Sequence, residues 1–215
     1  MMKDLTREHP DKILWRFLLP MLVSVMFQQI YNIADSCIAG RFAGEAVGAS
    51  YPITVIFMAF AVGTNLGASV VVSRLFGAKN MARMKTAVST AFIVCAFMSF
   101  FLTLIGYFFC GSMMRAVHTP ENIFADGQLY LKIYVYGITF LLLYNVCTGI
   151  FTALGDSKTP LYFLIGSSVG NIILDYYFVA CMGLGVAGVA WATFIAQGIS
   201  AILALTFLAI RLKKI

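Results

Sequence analysis

The chain has 215 residues, of which 61% are hydrophobic and 11% are charged, against roughly half apolar and a quarter charged in a soluble domain. Lipid is the solvent this composition suits, and the apolar runs leave no stretch for a separate soluble domain. The formal net charge of +6 does not mark a nucleic-acid binder, because the basic residues are shared out among alternate loops instead of forming one patch.

The first twelve residues, MMKDLTREHPDK, are polar and charged. The apolar run behind them is too long for a signal peptide and lacks a small-residue cleavage site, so it reads as an uncleaved first span over 13–38, with Pro20 near its inner end. The run closes in the turn-rich segment 39–44, and a second span follows over 51–72. Next comes SRLFGAKNMARMK, residues 73–85, which carries Arg74, Lys79, Arg83 and Lys85 and no acid. A third span covers 86–110. Thr119-Pro120-Glu121 then offers an N-cap followed by proline at a first helical position, which predicts a fourth helix over 120–151. It stops at Leu154-Gly155-Asp156-Ser157-Lys158, and Thr159-Pro160 repeats the start signal for a fifth over 160–182. The sixth runs over 185–210 and ends at Arg211-Leu212-Lys213-Lys214. The expectation is an all-α integral membrane protein, one bundle of six transmembrane helices spanning 1–215.

With the N-terminus inside, Lys3, Arg7, Lys12, Arg16, the four basic residues of 73–85, Lys158, Arg211, Lys213 and Lys214 face the cytoplasm, and only Arg41, Arg115 and Lys132 lie outside. That bias predicts cytoplasmic termini and a multi-pass protein of the plasma (inner) membrane. The five cysteines lie in or beside apolar runs without C-x-x-C or Cys/His spacing, and read as small core residues. Two outer turns echo each other, GEAVGA at 44–49 and GVAGVA at 185–190. Either a three-plus-three repeat or the ordinary use of small residues at membrane helix contacts would produce that echo.

Two acids fall inside spans, where insertion of a charge costs about 2.5–3.5 kcal/mol. Asp35 lies near the outer end of the first span and Asp175 within the fifth, roughly 22 Å from Pro160 at 1.5 Å per residue. Thr193, about two turns into the sixth span, reaches a similar level. Tyr31 precedes Asp35 by four residues and Asn171 precedes Asp175 by four, the spacing that stacks side chains on one helix face. Asn145 and Thr148 add polar groups from the fourth helix. Together these would line a polar pocket with oxygen ligands for a proton, hydronium or Na⁺, in which the two carboxyls titrate as a coupled pair. The plainer reading has Asp35 at an interfacial helix end and Asp175 in a packing hydrogen bond. Apart from Na⁺ at such a site, no metal and no cofactor is expected. Glu45, Glu121, Asp126 and Asp156 sit at turns or helix starts with no nucleophile or metal-ligand partner at useful spacing, so an enzyme is not expected.

The phrases QQIYNIADSCIAGRFAGEAVGAS, SRLFGAKN, TGIFTALGDSKTP, GNIILDYYF and GVAGVAWAT, in this order and spacing, resemble the N-terminal lobe of the multidrug and toxic compound extrusion (MATE) family. The resemblance implies one six-helix lobe of a two-lobe transporter that exchanges cationic or lipophilic compounds against H⁺ or Na⁺. It implies a cation site at Asp35, Asp175, Asn171 and Thr193, lined by Tyr31, Asn145 and Thr148, and a first helix that bends, for which Pro20 is the candidate. It further implies membrane lipids, a small-molecule substrate and a second lobe or another copy as partners, with no nucleic acid. Related flippases for lipid-linked oligosaccharides share the architecture, but would need a cavity rich in cations for phosphate, whereas the charges recognised within these spans are acids. A membrane fragment without transport is the reading from a different class.

Overall fold

A computed structural model of the chain describes Trp15, residues 18–20 and 22–30, Gly40 and residues 45–213. Within these the chain is helical, and no strand occurs. The helices are α1 (Leu18–Ile30), α2 (Glu45–Gly77), α3 (Met81–Ala116), α4 (Glu121–Tyr136), α5 (Ile138–Ala153), α6 (Lys158–Tyr176) followed by a π-helical turn (Tyr177–Cys181), and α7 (Gly185–Lys213). Among the described residues four helices are long and apolar enough to cross a membrane, or five if the bent pair α4 and α5 forms one span. The first apolar run lies partly outside the described residues.

The connections follow from local chemistry. Between α2 and α3, Lys79 takes a left-handed conformation (φ 55°), and the Asn80 side chain accepts a hydrogen bond from the Arg83 amide at 3.1 Å, capping α3. The start of α4 differs from the predicted cap: Pro120 itself occupies the capping position without a side-chain bond. At α6 the capping bond comes not from Thr159 but from Asp156, one residue ahead of Ser157, which occupies the capping position without a side-chain bond of its own. The Asp156 carboxylate accepts from the Thr159 amide at 3.1 Å and from its hydroxyl at 2.8 Å, so the helix starts ahead of Pro160, which falls in the first turn, where a missing N–H costs little. Arg211, in the last turn of α7, lies 4.0 Å from the same carboxylate and ties the ends of α6 and α7 together.

The predicted fourth helix is not continuous. It breaks into α4 and α5, bent by 47°, because the Gly137 amide bonds back to Tyr134 O at 2.9 Å, a tightened turn, before α-helical bonding resumes from Leu141 N to Gly137 O. α7 packs into the bend: the side of Gly137 where a Cβ would stand faces Gln197 Oε1 and Phe194.

α5 is the centre of the bundle. It packs on α2 and α3 to one side and α7 to the other, while α6 lies chiefly against α7. Ile138, Leu142, Val146, Cys147 and Ile150 of α5 are essentially inaccessible. Lipid tails are as apolar as leucine, so such a core is held by close contact and not by water exclusion. Cys95, Cys110 and Cys147 pack inside as expected, but Cys181 is exposed at the end of the π turn. Cys37 lies outside the described residues.

Among the described glycines, the closest approach to a backbone atom is at Gly149 of α5. A Cβ there would stand 2.6 Å from the Asn65 carbonyl oxygen of α2, a backbone atom that cannot swing away. Gly149→Ala is expected to separate α2 from α5 and to destabilise the protein by about 1–3 kcal/mol. Gly166→Ala, where a Cβ meets open space, should leave stability unchanged or raise it by up to ~1 kcal/mol. Reversible unfolding of the two variants in detergent checks the contrast.

Candidate functional site

α6 is built inside out. The residues it buries are Ser168, Asn171 and Asp175, all polar, at spacings of three and four that place them on one face. Its lipid-exposed residues include Tyr162, Val169, Ile173 and Tyr176. Asp175 has no accessible surface and Asn171 only 2%. Enclosure of this kind is what a carboxyl group within a span requires.

The π turn begins two residues after Asp175. Its wide i→i−5 bond runs from Met182 N to Tyr177 O at 3.0 Å, and past its end Leu184 N bonds back to Phe178 O at 3.0 Å. Such turns are rare and gather at functional sites. Beyond it the chain reverses through Gly183 (φ 68°) and Gly185 (φ 53°), a left-handed pair that only glycine adopts cheaply. α6 and α7 thus form an antiparallel hairpin. Asp175 stands about 9 Å before the end of the π turn and Thr193 about 12 Å after the start of α7, which puts the two at similar levels on helices that pack together. Thr193 is half-buried.

The other proposed ligands are placed differently. Asn145 and Thr148 lie on α5, which makes little contact with α6. The Asn145 amide donates to Leu141 O of its own helix at 2.9 Å. The Thr148 hydroxyl donates to Asn145 O at 2.9 Å and accepts from the Asn65 amide of α2 at 3.1 Å. Thr148 is therefore held in the α2–α5 crossing, and Asn145 is tied to its own helix. Asp35 and Tyr31 lie outside the described residues.

Three polar residues were overlooked in the sequence. Ser168 completes the buried face of α6, and its position three residues before Asn171 was the signal. Asn65 is an amide inside the second apolar run. Gln197, four residues after Thr193, reaches the bend at Gly137. Lys132, assigned from the sequence to the outer side, is half-buried within α4, about 17 Å from its first residue and five residues ahead of the bend. No group of three or more histidine, cysteine or acidic side chains suited to a metal ion occurs among the described residues.

The family model for MatE matches residues 20–177. The chain belongs to the MatE family. It corresponds to the N-terminal lobe of MATE transporters, which are multi-pass membrane proteins and not enzymes. It is 32% identical over 202 residues to a probable multidrug resistance protein of Bacillus subtilis, YoeA, covering 88% of this chain and 44% of that protein. A second B. subtilis protein of the same description, YpnP, is 30% identical over 201 residues, covering 92% and 45%. The chain thus spans about half the length of the curated relatives it matches. It shares its fold with a solved multidrug resistance MATE family transporter in an outward-facing conformation, with a TM-score of 0.88 at 24% identity over 94% of this chain and 46% of the other.

The bond between Asn65 and Thr148 lends itself to a double-mutant cycle. Thr148→Val and Asn65→Leu are expected to couple by about 0.6 kcal/mol, and by no more than about 1.7, the range found for hydrogen bonds between membrane helices. Equilibrium unfolding in mixed micelles measures this, and additive effects would show that the bond contributes nothing.

Proposed function

We propose that the chain is the cation-responsive lobe of a secondary active antiporter of the plasma (inner) membrane, exporting cationic or lipophilic compounds in exchange for H⁺ or Na⁺. The observation that carries this reading is the buried face of α6, where Ser168, Asn171 and Asp175 turn inward from a helix otherwise apolar toward lipid. A carboxyl beside an amide, enclosed within a span, suits a proton or a hard cation. Asp175, Asn171 and Thr193, joined by Asp35 of the first span, form the proposed site. Tyr31 lines it, while Thr148, bonded to Asn65 of α2, stands apart from α6.

Neutralising Asp175 removes the cost of a charge in low dielectric, so the loaded and empty states differ in how tightly α6 packs on α7. That difference is the differential binding a coupled equilibrium requires. The lobe carries six spans with both termini cytoplasmic, as the skewed distribution of basic residues implies. It works with a second lobe or with another copy, which supplies the other wall of the substrate path, and needs no cofactor beyond the coupling ion. The substrate class follows the B. subtilis relatives described as multidrug resistance proteins.

Asp175→Asn in the complete transporter is expected to abolish cation-driven drug efflux from cells while leaving the amount of membrane protein unchanged. In the purified chain the same substitution should remove the rise in melting temperature produced by the coupling ion. A response to Na⁺ at fixed pH identifies sodium, and a response to pH without Na⁺ identifies the proton. Efflux and cation-dependent melting that both match the wild type would overturn the assignment.

A further inference from the structure

α2 and α3 form a long hairpin whose arms splay apart, leaving an open cavity of about 1010 Å³ between them, floored by Val146 of α5. From Arg83 to Met98 along α3, and from Val71 to Val55 along α2, the groove runs about 22–24 Å. Its walls are apolar in effect. Thr64, Thr86 and Thr90 line it, but their hydroxyls bond back to the carbonyls of Ala61, Ala82 and Thr86 in their own helices. Gly63 and Gly67 face open space in it, with nothing within 4 Å of where a Cβ would stand.

One end differs. Arg83 lines the cavity beside the hairpin turn, next to Arg74, Lys79 and Lys85. Among the described residues no carboxylate pairs with it. An apolar trough closed at one end by an unpaired guanidinium selects an amphiphile with an anionic head, and it repels the cationic compounds proposed as substrates. We propose that the α2–α3 groove binds a membrane phospholipid with an anionic headgroup, its phosphate on Arg83 and its acyl chain between the helices. One leaflet of hydrocarbon is about 15 Å thick, half of the ~30 Å core, so the groove holds an acyl chain over its full length. The leaflet that supplies the lipid is the one facing residues 73–85. Anionic lipids draw juxtamembrane basic clusters by the same force. The small residues on its walls would also admit a helix, and the test separates the two occupants.

The chain, purified in mild detergent, is mixed with dioleoylphosphatidylglycerol or dioleoylphosphatidylcholine, and retained lipid is counted by native mass spectrometry alongside the melting temperature. The expected result is one retained phosphatidylglycerol per chain, favoured about fivefold over phosphatidylcholine, since one interfacial basic residue contributes about that factor. Arg83→Gln should erase the preference, Arg83→Lys should keep most of it, and Lys85→Gln should leave it intact. Gly67→Leu fills the trough and should abolish retention without lowering the melting temperature of the lipid-free chain. If that variant fails to fold, Gly63→Leu makes the same test. A preference that survives Arg83→Gln overturns the proposal. So does lipid retained after the groove is filled, or a lipid-free dimer that Gly67→Leu converts to monomer.

Discussion

A carboxyl group in hydrocarbon has to be surrounded by protein, and Asp175 imposes that condition on everything around it. α6 turns its polar stripe inward and Tyr162, Val169, Ile173 and Tyr176 outward, the reverse of a soluble amphipathic helix. α7 must then lie close enough to close over the stripe, which the glycine reversal after the π turn allows. The far ends of the two helices are fixed by Asp156, which caps α6 and meets Arg211 of α7. The hairpin is thus held at both ends, with the acid enclosed between.

The second half of the bundle answers a different demand. Helices in lipid gain nothing from expelling water, so α2, α3, α4 and α5 adhere through contact and a few hydrogen bonds. The tightest of these is the crossing of α2 and α5, where the Asn65 backbone rests on Gly149 and its side chain bonds Thr148. The bend at Gly137 lets α7 approach α4 and α5 through Phe194 and Gln197. α5 is consequently fixed on both sides, by α2 and α3 and by α7, and α6 joins the bundle chiefly through α7.

Much of this was legible in the residues. Apolar run length gave helices and excluded strands, because a membrane admits few alternatives. The cost of intramembrane charge singled out Asp175, and four-residue spacing joined Asn171 to it. The cap at Asp156 and the bend at Gly137 were read wrongly for a common reason. Thr-Pro looks like a start wherever it falls, and nothing in an apolar run tells a straight helix from a bent one. The bend depends on which neighbour fills it.

The sequence by itself determined the solvent, the helical class, the likeness to MATE transporters and the acid that has no cheap place in lipid. These follow from composition and from one-dimensional periodicity, which each residue carries regardless of its neighbours. The tertiary structure alone decided that Thr148 bonds Asn65 in the α2–α5 crossing, that α7 packs into the bend at Gly137, and that α2 and α3 part to leave a trough ending at Arg83. Each of these depends on which helix packs against which, and that is set by contacts between residues far apart in the chain.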